Sequence, residues 1–270
     1  MKPIKKINLL FLAFVFAAAA CTTVPITGRS QFNIVPDQTM LATSFQQYDQ
    51  FLKENELSTD HEKTRMVKEV GQRIAVAVEQ YLKENSMADE IRNYAWEFNL
   101  IEDEQINAWC MPGGKVVVYT GILSVAQDKA GLAVVMGHEI AHAVAKHGNE
   151  RMSQALAVQL GGMGLSAALS SYPQQTQQLW MATVGAGAQI GILLPYSRLH
   201  EREADELGLI FMAMAGYDPN HAVGFWQRMS QEKSGGAPPE FLSTHPSDAS
   251  RIQNIKELIP EAMQYYRQAR

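Results

Sequence analysis

The residues best equipped for chemistry are His138-Glu139-Ile140-Ala141-His142. On a helix, positions four apart differ by only about 40° in azimuth and one turn in height, so both imidazoles can reach a single ion. Glu139 is turned about 100° from His138, where its carboxylate meets a water at that ion without ligating the ion. That is the position of a general base. Two imidazoles at this spacing with a glutamate between them form the donor pattern of zinc hydrolases, so the sequence predicts a hydrolytic Zn2+ centre.

A catalytic zinc takes three protein ligands and keeps a fourth position open, so a further donor must come from elsewhere. His147 follows in His142-Ala-Val-Ala-Lys-His147, but the metzincin spacing would need glycine at Ala145 and histidine at Gly148. That class is excluded, and His147 reads as a structural or solvent-facing side chain. A better source is Ser197-Arg-Leu-His-Glu-Arg-Glu-Ala-Asp-Glu-Leu-Gly208, where Glu201 and Asp205 share one helix face. One of these carboxylates can ligate zinc while the other accepts a hydrogen bond from a ligating imidazole. Glu203 and Glu206 point elsewhere and are expected to be solvated. Cys110 is a candidate thiolate ligand, yet a lone cysteine more often packs as a small hydrophobe, and Trp109 and Met111 are expected to pack as well.

These residues need a scaffold to bring them together. Leu132, Val135 and Met136 extend an apolar helical face ahead of His138, and Asp128 is suited to cap that helix. Earlier, Met40, Leu41, Phe45, Tyr48 and Leu52 share a helical face, and so do Val67, Val70, Ile74, Val78 and Tyr81 behind cap candidates Ser58, Thr59 and Asp60. Between these helices and Asp128 the period changes to two. Trp96, Phe98 and Leu100 alternate with polar residues, Lys115–Thr120 is dense in β-branched residues, and Met111-Pro-Gly-Gly114 reads as a turn. After Asp128 the pattern is helical again, interrupted at Pro173, Pro195, Pro219 and Pro238-Pro239. The fold class expected is α+β and predominantly helical, with a small sheet of about three strands beside the zinc helix, forming one domain over 37–270.

Composition sets outer limits. The 270 residues are 46% hydrophobic and 19% charged with a formal net charge of −5, which describes a globular chain. No Lys/Arg block occurs beyond the N-terminus, which argues against a nucleic-acid partner. At the N-terminus, Lys2, Lys5 and Lys6 precede an apolar run from Ile7 to Ala20, too short for the ~20 residues of a membrane span and suited to a secretory leader. The run ends Ala-Ala-Ala-Cys-Thr and resembles a bacterial lipoprotein signal, with Ala18 where leucine is usual. On that resemblance residues 1–20 are removed, Cys21 is acylated, 21–36 form an extended tether, and Thr22 fits sorting to the outer membrane of a Gram-negative envelope. From Met152 to Ser197 there is no charged residue and no histidine. The stretch reads as a buried helical hairpin or as a surface meeting lipid or a membrane-protein partner.

With these motifs assembled, the chain resembles the gluzincin metallopeptidase family that includes HtpX, BepA and the yeast prenyl-protein endopeptidase, in its soluble bacterial lipoprotein branch. The zinc motif, the later Glu201-x-x-Ala-Asp205, the early Thr27-Gly-Arg-Ser-Gln-Phe, the middle Asn107-Ala-Trp-Cys-Met-Pro-Gly-Gly114 and the late Thr244-His-Pro-Ser-Asp-Ala-Ser-Arg-Ile252 all carry the likeness. The resemblance implies a zincin-like fold with His138, His142 and Glu201 as zinc ligands, Glu139 as base and Asp205 orienting a ligand. It implies further that His245 approaches the zinc and closes its open position at rest, and that Arg251 steadies this segment or the oxyanion. The edge of strand 115–120 would pair with an extended substrate. The implied activity is a membrane-anchored endopeptidase facing the periplasm and acting on envelope polypeptides, notably misfolded outer-membrane proteins. Two other readings remain open: a lipoprotein chaperone or assembly scaffold working through the charge-free segment, and a zinc hydrolase of non-peptide amides.

Overall fold

The computed structural model describes residues 21–24, 27–169, 197–232, 239–245 and 249–269. The expected leader, most of the charge-free stretch, the Gly235-Gly236 pair, Pro238 and Pro246–Asp248 lie outside them. The first elements are β1 (Cys21–Thr23), β2 (Ser30–Phe32), α1 (Asp37–Glu54) and α2 (His61–Glu84). They are followed by β3 (Glu97–Ile101), β4 (Ala108–Met111), β5 (Lys115–Tyr119), α3 (Ile122–Ala126) and α4 (Lys129–Val144). The later helices are α5 (His147–Leu169), α6 (Arg198–Met214), α7 (His221–Gln231), α8 (Glu240–Thr244) and α9 (Ala249–Gln268). Among the described residues no helix is long and apolar enough to cross a membrane.

Packing divides the chain into two compact units, Met1–Thr39 with Asn149–Leu194 and Met40–Gly148 with Pro195–Arg270. In the first, β1 and β2 pair antiparallel with Cys21 opposite Phe32. The sequence suggests an extended tether here. In the structure the segment is held to α5: Arg29 grips Glu150 with two N–H groups at 3.2 and 2.7 Å, and the Ile34 amide donates to Ser153 Oγ at 3.0 Å. Polar partners on α5 satisfy backbone that a free tether would leave to water.

The second unit carries the sheet, in the order β3-β5-β4. β5 is central, parallel to β3 with Glu97 opposite Lys115, and antiparallel to β4 with Met111 opposite Lys115. This corrects the expectation that the 115–120 strand presents an edge, because β3 and β4 pair with it on both sides and are the outer strands among the described residues. The β4–β5 connection turns at Gly113 and Gly114, with φ of 91° and 83°, a region that only glycine enters readily. On one face, Trp109 and Met111 pack with Tyr48, Val117 and Tyr119. Pleat alternation therefore turns Ala108 and Cys110 to the other face, against α4.

Helix α4 is buried from Gly131 to Val144 on every side, as its nearly uninterrupted apolar sequence requires. Asp128 caps it, accepting from the Gly131 amide at 2.7 Å. Its most extensive partner is α6. The two helices meet where Gly137 and Gly208 touch: a Cβ on Gly208 would lie 2.9 Å from the His138 nitrogen, and one on Gly137 would lie 2.9 Å from the Gly208 carbonyl oxygen. Backbone against backbone at this point brings His138 beside the N-terminal half of α6.

Gly208→Ala should push these helices apart and cost about 2 kcal/mol, within the range for overpacking a tight core. Thermal melting should then show a Tm lower by roughly 4–8 °C. Gly148→Ala is the control, since a Cβ there meets nothing within 4 Å. It should leave the Tm unchanged.

Candidate metal centre

Helix α4 supplies His138 and His142 from successive turns. Helix α6, capped by Ser197 Oγ accepting from the His200 amide at 3.2 Å, supplies Glu201 from its first turn. His245 follows α8, its own amide donating to the Phe241 carbonyl at 2.8 Å. These side chains converge. His138 Nε2 lies 3.0 Å from His142 Nε2 and 3.3 Å from His245 Nδ1. Glu201 Oε1 is 3.4 Å from His142 Nε2 and 2.9 Å from His245 Nδ1, while Oε2 is 3.5 Å from His138 Nε2. Donors about 2.0–2.1 Å from a tetrahedral zinc stand roughly 3.3 Å from one another, and these separations bracket that value. All four residues are buried, with a ligand atom from each within 4.8 Å of the others.

The chemistry around this cluster fits a metal. Glu139 is 3% exposed, and its buried Oε1 has no hydrogen-bond partner among the described residues, although His245 Nε2 stands 3.5 Å away. A buried carboxylate oxygen left unsatisfied by protein is a strong anomaly and marks a place for chemistry. Burial pushes the Glu139 carboxyl above the ordinary carboxylate range, against the pull of His245 and His138. Burial likewise holds His142 well below the usual histidine range, so its imidazole is neutral, the form that donates to a metal.

Asp205 and Arg251 frame the donors. Asp205 Oδ1 lies 3.0 Å from His138 Nδ1, which leaves Nε2 facing the cluster. Arg251 donates from Nε and Nη2 to both Asp205 oxygens at 2.9 and 2.7 Å, and from Nη1 to Glu201 Oε2 at 2.7 Å. Its guanidinium carbon lies 3.5 Å from the centre of the Trp226 ring. The guanidinium is thus directed at the carboxylates. Burial alone would raise Asp205, but the Arg251 charge and the His138 contact outweigh it and hold the carboxyl low. Glu201 is held low, despite its own burial, by its contacts with the His138, His142 and His245 rings.

Of the two roles expected for His147, structural or solvent-facing, the structure shows the first: it is 0% exposed, its Nδ1 is 2.8 Å from His142 Nδ1, and its Nε2 is 2.9 Å from Glu203 Oε2. The expectation for Glu203 is corrected. Glu203 is 5% exposed and not solvated, whereas Glu206 is partly exposed. The physical reason is the chain turn after α4, where Lys146 adopts φ 57° and swings His147 back beneath the zinc helix. Helix α6 is buried on more than one face, so Glu203 turns away from Glu201 yet still meets protein. Cys110 is not among the converging donors, and burial pushes its thiol well above the ordinary range. Cys21 lies in β1, apart in the chain from these elements. Trp226 and Phe241, whose ring stacks on His245 with centroids 4.7 Å apart, carry no sequence signal that separates them from ordinary core aromatics.

Residues 61–259 match the model of Peptidase family M48. A relative from Schizosaccharomyces pombe, mitochondrial metalloendopeptidase OMA1, is 36% identical over 88% of this chain and 66% of its own length. The Bos taurus protein named metalloendopeptidase OMA1, mitochondrial, is 31% identical over 95% of this chain and 49% of its own. The beta-barrel assembly-enhancing protease of Yersinia pestis is 31% identical over 60% of this chain and 34% of its own. The chain therefore spans between about a third and two thirds of the length of these curated relatives.

Arg251→Ala should leave Asp205 and Glu201 buried without their cation, costing about 3–5 kcal/mol. Zinc affinity should fall by about 10–100-fold, as for other losses of groups that orient ligands. Arg251→Lys restores the charge without the two-pronged geometry and should fall between. Thermal melting of metal-free protein and zinc titration against a chromophoric chelator measure the two effects. An Arg251→Ala protein that matches wild type in both would remove the framing role.

Proposed function

The chain belongs to peptidase family M48, and from that premise we propose that it is a zinc endopeptidase of the bacterial envelope, anchored through an acylated Cys21. The observation that carries the hydrolytic part is the unsatisfied Glu139 Oε1 beside His138, His142 and Glu201. These three residues hold the ion. When bound, zinc supplies Lewis acidity, polarising a scissile carbonyl and acidifying water at neutral pH. Glu139 takes the proton of the attacking water and hands it to the departing amine, a task suited to a carboxyl raised by burial. Asp205 and Arg251 keep His138 and Glu201 in place throughout.

An extended polypeptide has a docking edge in β4. The Tyr119 amide donates to the Asn107 carbonyl at 3.1 Å, which sets the ladder so that Trp109 and Met111 bond to β5. The backbone groups of Ala108 and Cys110 then point outward. Asn107 Oδ1 already accepts from the Ala108 amide at 2.9 Å, leaving Cys110 as the residue whose N–H and C=O meet an added strand.

At rest the site is closed. His245 supplies a fourth donor, Phe241 covers it, and both are buried. Movement of the 239–245 segment is accordingly the activating step. The envelope location rests on the N-terminal Lys2–Ala20 pattern and Cys21. Misassembled outer-membrane proteins as substrates are supported by that location and by the likeness to the Yersinia pestis protein. The relatives named mitochondrial support the peptidase reading, while their names point to a different compartment from the one proposed here.

Glu139→Gln should abolish casein cleavage, with a fall of about 10²–10⁴ for loss of the proton-transferring group, while zinc content by metal analysis stays at one per chain. Removing the metal with a chelator should do the same to wild type. Cleavage retained in either case excludes a zinc peptidase. His245→Ala should raise basal cleavage roughly tenfold, the effect of removing about 1.4 kcal/mol of closed-state bias. Unchanged or reduced cleavage would remove self-closure and leave the hydrolytic assignment standing.

A further inference from the structure

The two histidines of α4 are braced differently. His138 Nδ1 meets a carboxylate directly, Asp205 Oδ1 at 3.0 Å. His142 Nδ1 instead meets another imidazole, His147 Nδ1 at 2.8 Å, whose far nitrogen is 2.9 Å from Glu203 Oε2. All three residues of this second chain are buried, and His147 also stacks on His200 with centroids 4.5 Å apart and planes 27° from parallel.

Proton bookkeeping fixes the direction of this chain. His142 Nε2 faces the other donors, so as a ligand it must present a lone pair there. A neutral imidazole then carries its proton on Nδ1. That proton points at His147 Nδ1, which must accept, and the remaining His147 proton sits on Nε2, directed at Glu203. A His147 protonated on Nδ1 would set two N–H groups against each other at 2.8 Å.

We propose that His147 and Glu203 are positioning residues that lock His142 as an Nε2 zinc donor through the sequence His142 Nδ1–H to His147 Nδ1, then His147 Nε2–H to Glu203 Oε2. The proposal rests on the zinc reading above and not on peptidase activity. Glu203 acts at a distance: its carboxylate sets the His147 tautomer, and that tautomer supplies the acceptor that His142 needs. Ligand-orienting partners of this kind are worth about 10–100-fold in metal affinity.

The first test is ring-nitrogen NMR of the zinc-loaded, ¹⁵N-histidine-labelled wild type. It should show His142 protonated on Nδ1 and His147 neutral and protonated on Nε2. A proton on His147 Nδ1 overturns the relay even if zinc binds normally, whereas failure of wild type to bind zinc would overturn the reading beneath it. The second test is zinc affinity by chelator competition. His147→Phe, which keeps the stack on His200 but cannot accept, and Glu203→Leu should each lose about 10–100-fold. Their double variant should lose no more than the worse single, because Glu203 works through His147. Glu203→Gln keeps an acceptor and should stay within a few-fold of wild type. Unchanged affinity in His147→Phe, or losses that multiply in the double variant, would refute the relay.

Discussion

Burying two carboxylates within a few ångströms of each other is costly unless cations face them, and the fold meets that demand with one guanidinium. Arg251 donates to Glu201 and to both oxygens of Asp205, and its other face lies on Trp226. The aromatic face attracts the cation where water cannot reach it. This arrangement leaves Glu201 charged and Asp205 available to His138, so the geometry of the candidate metal site rests on an ion network that the protein itself forms. The α6–α9 packing is thereby tied electrostatically to the α4–α6 packing.

A second constraint is steric. Glu201 and Asp205 can meet His138 only if α4 and α6 approach at backbone distance, and Gly137 against Gly208 provides this. Larger residues at the crossing would keep the donors apart whatever their chemistry. The sheet contributes on the far side of α4: Ala108, small and buried, and Cys110 are the side chains β4 turns toward the helix. Helix α4 is therefore clamped between a strand and a helix.

Much of this was legible in local pattern. The His138–His142 spacing, the Asp128 cap, the alternation through Phe98 and Leu100 and the Pro112-Gly113-Gly114 turn are each short-range signals, and each element stands where its pattern puts it. What was not legible depends on non-local geometry. Helical arithmetic places Glu203 away from Glu201 but does not say that α6 is enclosed on that side too. His147 lies beyond the end of α4, so spacing left open whether it is structural or solvent-facing, and the left-handed Lys146 turns it back under the helix. The central position of β5 likewise follows from pairing with β3 across a long separation, which no window along the sequence contains. The hairpin at 21–32 went unread because its strands are three residues each, too short for alternation to register.

The same dryness serves opposite ends of the chemistry. Exclusion of water raises Glu139 above the ordinary carboxylate range, and it keeps His142 uncharged. It also keeps Phe241 and His245 buried, with Phe241 stacked on the His245 ring. If Glu139 is the base, as proposed, admitting substrate would hydrate the site partially and relax the burial that raises its carboxyl. Under the proposed function, a substrate strand added at β4 would restore exclusion, replacing the aromatic cover with peptide. On this reading the closed form protects a tuned centre from idle hydrolysis, and tuning returns only when a polypeptide takes the place of the cover.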